Sequence, residues 1–190
     1  IFRKLLKEPV LSSLLIYLEN PANSAYAEFV TALYNANGGN ISEHIKEICE
    51  NSENVYVKAV GREEDVPNYL YDTLVAELDV LQEVAELTAE KLCYSLEYKG
   101  FLPKFEHTKL NIKDSYIHRT ENIGKYGYGI YAKNRMFYVD EQGGIIPVHH
   151  PDNITLSDLV DYEHERQIII DNTKALIDGK PAANILLTGD

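Results

Sequence analysis

The sequence predicts an α+β protein: a mostly helical N-terminal bundle with an antiparallel β-hairpin, then a helix and a strand that open an α/β unit. Three observations predict it. Apolar residues recur every three or four positions through most of the first hundred residues. The period changes to two near residues 128–139, just before a Gly-Gly turn. A last helical stretch is followed by the compact apolar run Ile185-Leu186-Leu187.

Each element has its own local cause. Pro9 suits the first position of a helix, where its missing N–H costs nothing, and Leu11, Leu14, Leu15 and Leu18 follow until Asn20-Pro21 stops it. A second helix carries Tyr26, Phe29, Val30, Leu33 and Tyr34 and ends at Asn37-Gly38-Gly39, a C-terminal signal. A third places Ile41, Ile45, Ile48 and Cys49 on one stripe before the polar Asn51-Ser52-Glu53-Asn54. Residues 55–60 are β-branched but too short for their period to decide between helix and strand.

The longest predicted helix starts after Asp65-Val66-Pro67 and runs to about Tyr98. Leu70, Leu74, Leu78, Leu81, Ala85, Thr88, Leu92 and Leu96 form its stripe. Thirty such residues would span roughly 45 Å. Tyr71, Val75, Val80, Val84 and Leu87 widen the apolar surface beyond a coiled-coil seam, so a core helix is expected rather than a partner-binding one. Residues 101–125 are mixed and polar and read as a connector laid over a surface. The hairpin is placed at about 126–148. Its first strand alternates from Tyr128 to Val139, Asp140 to Gly144 form the turn, and Pro147 marks the return strand as an edge. Residues 148–152 read as a linker, 161–178 as a helix stopped by Gly179, and 185–188 as a buried strand. The domains expected are therefore 1–152, the helical part with its hairpin, and 153–190.

Composition narrows function by exclusion. The chain has 190 residues, 45% apolar and 25% charged, with a net charge of −12 and a pI near 4.9. That surface repels phosphate backbones and anionic lipid, and no run of Lys or Arg is long enough to counter it, so neither nucleic acid nor membrane is an expected partner. No apolar run approaches a bilayer-spanning length. Cys49 and Cys93 fall in helical stretches and suggest no disulfide framework. With Ile1 in first place and no leader pattern, the chain reads as bacterial-type and cytoplasmic, and as part of a longer one.

Several residue groups invite a chemical reading and then lose it. His149, His150 and Asp152, with His164 or Glu163, have the donor types of a zinc or iron site, but neighbours on an extended chain point to opposite sides. Gly124, Gly127 and Gly129 lack the preceding strand and following helix that a dinucleotide fingerprint needs. Cys93 lies among Leu92 and Leu96 and reads as a small buried hydrophobe rather than a nucleophile. Tyr126, Tyr128, Tyr131 and Tyr138 could make a sticky aromatic face; a sheet surface covered by the long helix is the preferred expectation.

The C-terminal stretch carries the most information. An apolar strand running into Gly189, after a helix and a Gly-Lys-Pro turn, is the approach to a phosphate-binding loop, whose glycines let backbone N–H groups surround phosphate. The stretch from Ile154 to Gly189 includes Leu156-Ser157-Asp158-Leu159-Val160-Asp161-Tyr162-Glu163-His164-Glu165-Arg166-Gln167 and Asp171-Asn172-Thr173-Lys174-Ala175-Leu176. It closes with Gly179-Lys180-Pro181-Ala182-Ala183-Asn184-Ile185-Leu186-Leu187-Thr188-Gly189. This resembles the segment leading into the nucleotide site of bacterial AAA+-type P-loop ATPases and, more narrowly, the family called domain of unknown function 815. Members of that family continue at once with Gly-Thr-Gly-Lys-Ser.

The resemblance implies ATP and Mg²⁺ as ligands of a longer, ring-forming parent. It places Leu159, Val160 and Asp161 against adenine and Gly189 at the opening of the phosphate loop. The loop's Lys and Ser and any Mg²⁺-holding acidic strand end lie outside residues 1–190, so this piece is expected neither to hydrolyse ATP nor to bind it tightly, and it contains no catalytic or metal-binding residue. AAA+ accessory regions recognise partners, so residues 1–152 are expected to be an adaptor for an unidentified protein. The alternative is a self-contained interaction module in which residues 185–188 complete the hairpin's sheet.

Overall fold

The computed structural model describes residues 1–94, 96–158 and 160–188. It divides into two compact units, Ile1–Pro147 and Val148–Asp190. The fold is α+β, mostly helical with one two-stranded antiparallel sheet. Among the described residues, no helix is long and apolar enough to cross a membrane.

The first unit opens with a 3-10 turn, Arg3–Lys7, and helices α1 (Pro9–Glu19), α2 (Asn23–Asn37) and α3 (Ile41–Glu50). Pro9 does occupy the first turn of α1, and the Glu8 carboxylate caps it by accepting the N–H groups of Val10 and Leu11, both at 3.0 Å. Gly38 closes α2 in the left-handed conformation, φ 79°, which a side chain would disfavour. The undecided stretch is helical: α4 (Val55–Gly61) starts because the Asn54 side chain accepts from the N–H groups of Tyr56 and Val57. Tyr56 and Val57 are thereby buried.

The long helix is shorter than its periodicity implied. α5 runs from Asn68 to Ala85, about 27 Å, and a separate turn of helix, α6, covers Ala89–Cys93. The break comes at Glu86–Thr88. There the Thr88 hydroxyl starts a new helix by accepting from Lys91 N–H, and the Leu92 carbonyl accepts the buried Tyr17 hydroxyl. Leu74, Leu78, Leu81 and Ala85 are buried, so α5 is a core helix as its wide apolar surface suggested.

Residues 101–125 are a surface connector only as far as Asn111, and that part is tied to the helices beneath it. Tyr26 donates its hydroxyl to Pro103 O, 2.8 Å, and Tyr34 donates to Lys104 O. Ile41 N–H donates to Glu106 O and Glu106 N–H to Gly39 O, an isolated parallel bridge between Asn40 and Glu106. Helix α7 (Ile112–Glu121) then buries Ile112, Tyr116 and Thr120, which recur every four residues. Asn111 caps it at Asp114 N–H, 3.0 Å. Tyr116 packs edge-on against Phe2, and its hydroxyl accepts from Asn54 Nδ2 at 2.8 Å.

The hairpin is likewise shorter than expected. After α8 (Ile123–Tyr126), glycines at positive φ, Gly127 at 66° and Gly129 at 55°, turn the chain into a further helical turn, α9 (Ile130–Lys133). Alternation from Tyr128 therefore does not mean strand. Among the described residues the sheet consists of β1 (Phe137–Val139) and β2 (Ile145–Pro147), with Tyr138 opposite Ile146. The Asp140–Gly144 turn is held by the Asp140 carboxylate, which accepts from Gln142 and Gly144 N–H. The long helix does not cover this sheet, and Tyr138 is exposed. Tyr128 instead lies on α4, where Gly61 leaves room for its ring.

Candidate functional site

The second unit, with a short 3-10 turn at Leu156–Asp158 and helix α10 (Glu163–Ile177), contains the predicted nucleotide contacts. Asp158 folds back on Thr155, accepting its N–H and its hydroxyl, each at 2.7 Å, and these bonds hold the Asp158 carboxyl below the usual carboxylate range. Arg166, one turn into α10, donates to Leu156 O and lies 3.4 Å from Glu163. A shallow cavity of about 320 Å³ opens here between Leu156, Ser157, Arg166 and Ile170. At the other end of α10, the Asn172 amide makes two 2.8 Å bonds to Ala183, one to its N–H and one to its carbonyl. The helix thus carries both flanking segments.

Of the predicted site residues, Val160 is 74% exposed and Asp161 takes a left-handed turn, φ 70°, just before α10. Asp is among the few non-glycine residues that adopt this conformation readily. Leu159 and Gly189 lie outside the described residues. The buried strand expected at 185–188 is neither buried nor a strand. Ile185, Leu186 and Leu187 are 42%, 86% and 72% exposed and lie outside the sheet, which contains β1 and β2. The reason is local: nothing within Val148–Thr188 offers these residues a core, since none of its described side chains is buried.

The rejected groups remain without a site. His149, His150 and Asp152 are exposed, and no group of three His, Cys, Asp or Glu residues among the described residues could hold a metal. Cys93 is half-buried at the end of α6, and both cysteines are free thiols. Tyr131 packs on Tyr128 and Phe137, with centroids 6.2 and 5.1 Å away, and Arg119 sits 4.9 Å above the Tyr126 ring.

Two features of the first unit escaped the sequence reading. Glu50 is a nearly buried carboxylate on α3 that joins α3 to α7. It accepts from Ser115 at 2.7 Å and pairs with Lys46 at 3.1 Å and Arg119 at 3.6 Å. Its i,i+4 relation to Lys46 was visible, but its partners on α7 required the fold. The second is an open apolar groove of about 700 Å³ between the 3-10 turn and α5. Phe2, Leu11 and Leu81 form its buried floor. Leu6 and Val80, 51% and 59% exposed, stand on opposite walls. The exposed positions of α5 that were apolar at helical spacing, such as Ala76 and Val80, were its signal.

No curated protein and no solved structure matches the chain. Residues 132–190, about a third of the chain, do match the model of one family, described as protein of unknown function (DUF815), so the hairpin together with the whole second unit is similar to that family.

Proposed function

We propose that residues 148–190 form the approach to the nucleotide site of an AAA+-type P-loop ATPase, and that residues 1–147 are its partner-recognising accessory region. The observation that carries this reading is the state of Ile185-Leu186-Leu187. These residues are apolar, exposed and outside any helix or strand, just after Ala183, which α10 holds by two hydrogen bonds from Asn172. A backbone segment of this composition is stable when flanking strands satisfy its N–H and C=O groups and helices cover its side chains, as in the central strand of a parallel sheet. On this reading Leu159, Val160 and Asp161 lie against adenine, Gly189 begins the phosphate loop, and Mg²⁺ accompanies the ATP. None of residues 1–190 is assigned a catalytic step.

The alternative is a self-contained interaction module in which residues 185–188 complete the sheet of β1 and β2. The test is the encoded continuation beyond Asp190 and nucleotide binding by the protein that includes it. A Gly-X-Gly-Lys-Ser/Thr continuation, with micromolar binding of a fluorescent ATP analogue lost at least tenfold when that Lys becomes Ala, is expected. A continuation without the loop, or no nucleotide binding, overturns the proposal.

A further inference from the structure

We infer that the groove between the 3-10 turn and α5 docks an amphipathic helix of a protein partner, one whose basic flank faces α5 and whose acidic flank faces the 3-10 turn. This deepens the partner-binding half of the proposal above and is independent of its nucleotide half.

The groove's chemistry is uneven in a way that selects such an occupant. Its lining is apolar along the middle, with Leu5, Leu6, Ala76 and Val80 reaching solvent above the buried floor. Apolar anchors at helical spacing fill a groove of this kind. The two walls carry opposite charge. The 3-10 turn reads Arg-Lys-Leu-Leu-Lys and has no acid. Helix α5 has no Lys, Arg or His, and of its acids Asp72 and Glu77 line the groove, while Asp79 points away from it and pairs with Lys113 at 2.8 Å. Glu77 is already engaged, since its carboxylate accepts from Phe2 N–H at 2.7 Å. Asp72 lines the groove and is exposed, and Glu83, exposed as well, follows Val80 by one turn of α5. Arg3 lines the opposite wall and is exposed. A partner helix of uniform charge would meet a like-charged wall on one side; one with unlike flanks meets attraction on both. A second copy is disfavoured because each copy brings a net charge of −12.

The probes are three fluorescent helical peptides with the same leucine stripe and different flanks: one Lys and one Glu flank, both Lys, or both Glu. Anisotropy titrations use the chain of 190 residues at physiological salt. The mixed-flank peptide is expected to bind at least fivefold more tightly than either uniform peptide. Val80→Glu should weaken it tenfold or more, and Asp72→Lys at least fivefold. Both side chains are exposed, and circular dichroism checks that the variants keep the fold. Equal binding of the three peptides, strongest binding of the all-Lys peptide, or no binding of any overturns the inference. So does sedimentation showing a dimer that Val80→Glu dissociates, which would assign the groove to a second copy. Failure of ATP binding by the longer protein leaves these titrations unaffected, and failed titrations leave the nucleotide proposal standing.

Discussion

Helices α3 and α10 make an instructive pair. The shorter one, ten residues, buries Ile41, Ser42, His44, Ile45 and Cys49, while α10, with fifteen residues and four isoleucines, buries none. Their apolar content does not separate them; their neighbours do. α3 packs against α2, α5 and α7, and even its polar side chains are drawn in. Ser42 donates to Ala85 O at 2.7 Å and accepts from Thr108 N–H at 2.9 Å. His44 Nε2 lies 3.2 Å from Glu8 Oε2, out of line for a hydrogen bond. Within its own unit, α10 is flanked by segments of which no described side chain is buried. Burial is supplied by surroundings, and the second unit contains too few of its own to make a core.

The largest expected effect of this contrast is in hydrogen exchange. Amides in the middle of α3 and α5 should exchange only through global unfolding, and those of α10 through local opening. The difference in protection should be on the order of a thousandfold or more, given ordinary domain stabilities. Similar protection in α10 and α3, measured on the intact chain by mass spectrometry, would break the comparison.

Core truncation comes next. Phe29 is fully buried and packs edge-on against Phe105, centroids 5.5 Å apart. Phe29→Ala should lower stability by about 3–5 kcal/mol in urea unfolding. Ile168→Ala on α10, whose side chain is exposed, should stay within about 0.5 kcal/mol of the parent.

Alkaline pH should produce a smaller, graded loss. Burial pushes the Cys49 thiol up to about 12 from an ordinary 9.0, with the Glu50 charge adding to it. Below pH 9 the folded and unfolded states both keep the proton, and this group contributes no pH dependence. Between about 9 and 12 the unfolded chain releases the proton and the folded one does not. Stability should therefore fall there by about 1.4 kcal/mol per pH unit from this thiol. Tyr116 and Tyr56, also raised by burial, add their share above pH 10. Cys49→Ala should flatten the early part of the decline, and an unchanged slope would remove Cys49 from the account.

The smallest effect is expected from Asp158→Asn. The lowered carboxyl of Asp158 reflects bonds to Thr155 made in water. The substitution should shift the Thr155 amide resonance and leave the thermal midpoint unchanged. A drop in the midpoint would mean that this turn is coupled to a cooperative core.

How much was legible in the chain alone can be judged from particular residues. Helices α1 to α3 were, because Pro9, the Asn37-Gly38-Gly39 stop and unbroken apolar spacing all agree. Helix α7 was overlooked although its signals were present: Asn111 followed three residues later by Asp114, then Ile112, Tyr116 and Thr120 at intervals of four. The polar average of residues 101–125 hid them. The strand read into 128–136 failed because alternation over a few residues cannot outweigh the turns made by Gly127 and Gly129. For the candidate site, the residues before α10 could be picked from sequence, but their exposure could not.

By itself, the sequence determined what depends on near neighbours along the chain. That includes the helix starts at Pro9 and Asn40, the stop at Gly38 and the Asp140–Gly144 turn. Each is set by local dihedral preference or by a side chain bonding backbone within four residues. Only the tertiary structure decided the break after Ala85, the burial of Glu50 between α3 and α7, the two-walled groove beside α5 and the exposure of Ile185 to Leu187. Those outcomes rest on which distant groups arrive to satisfy a carbonyl, pair a carboxylate or cover an apolar side chain, and local spacing carries no record of that.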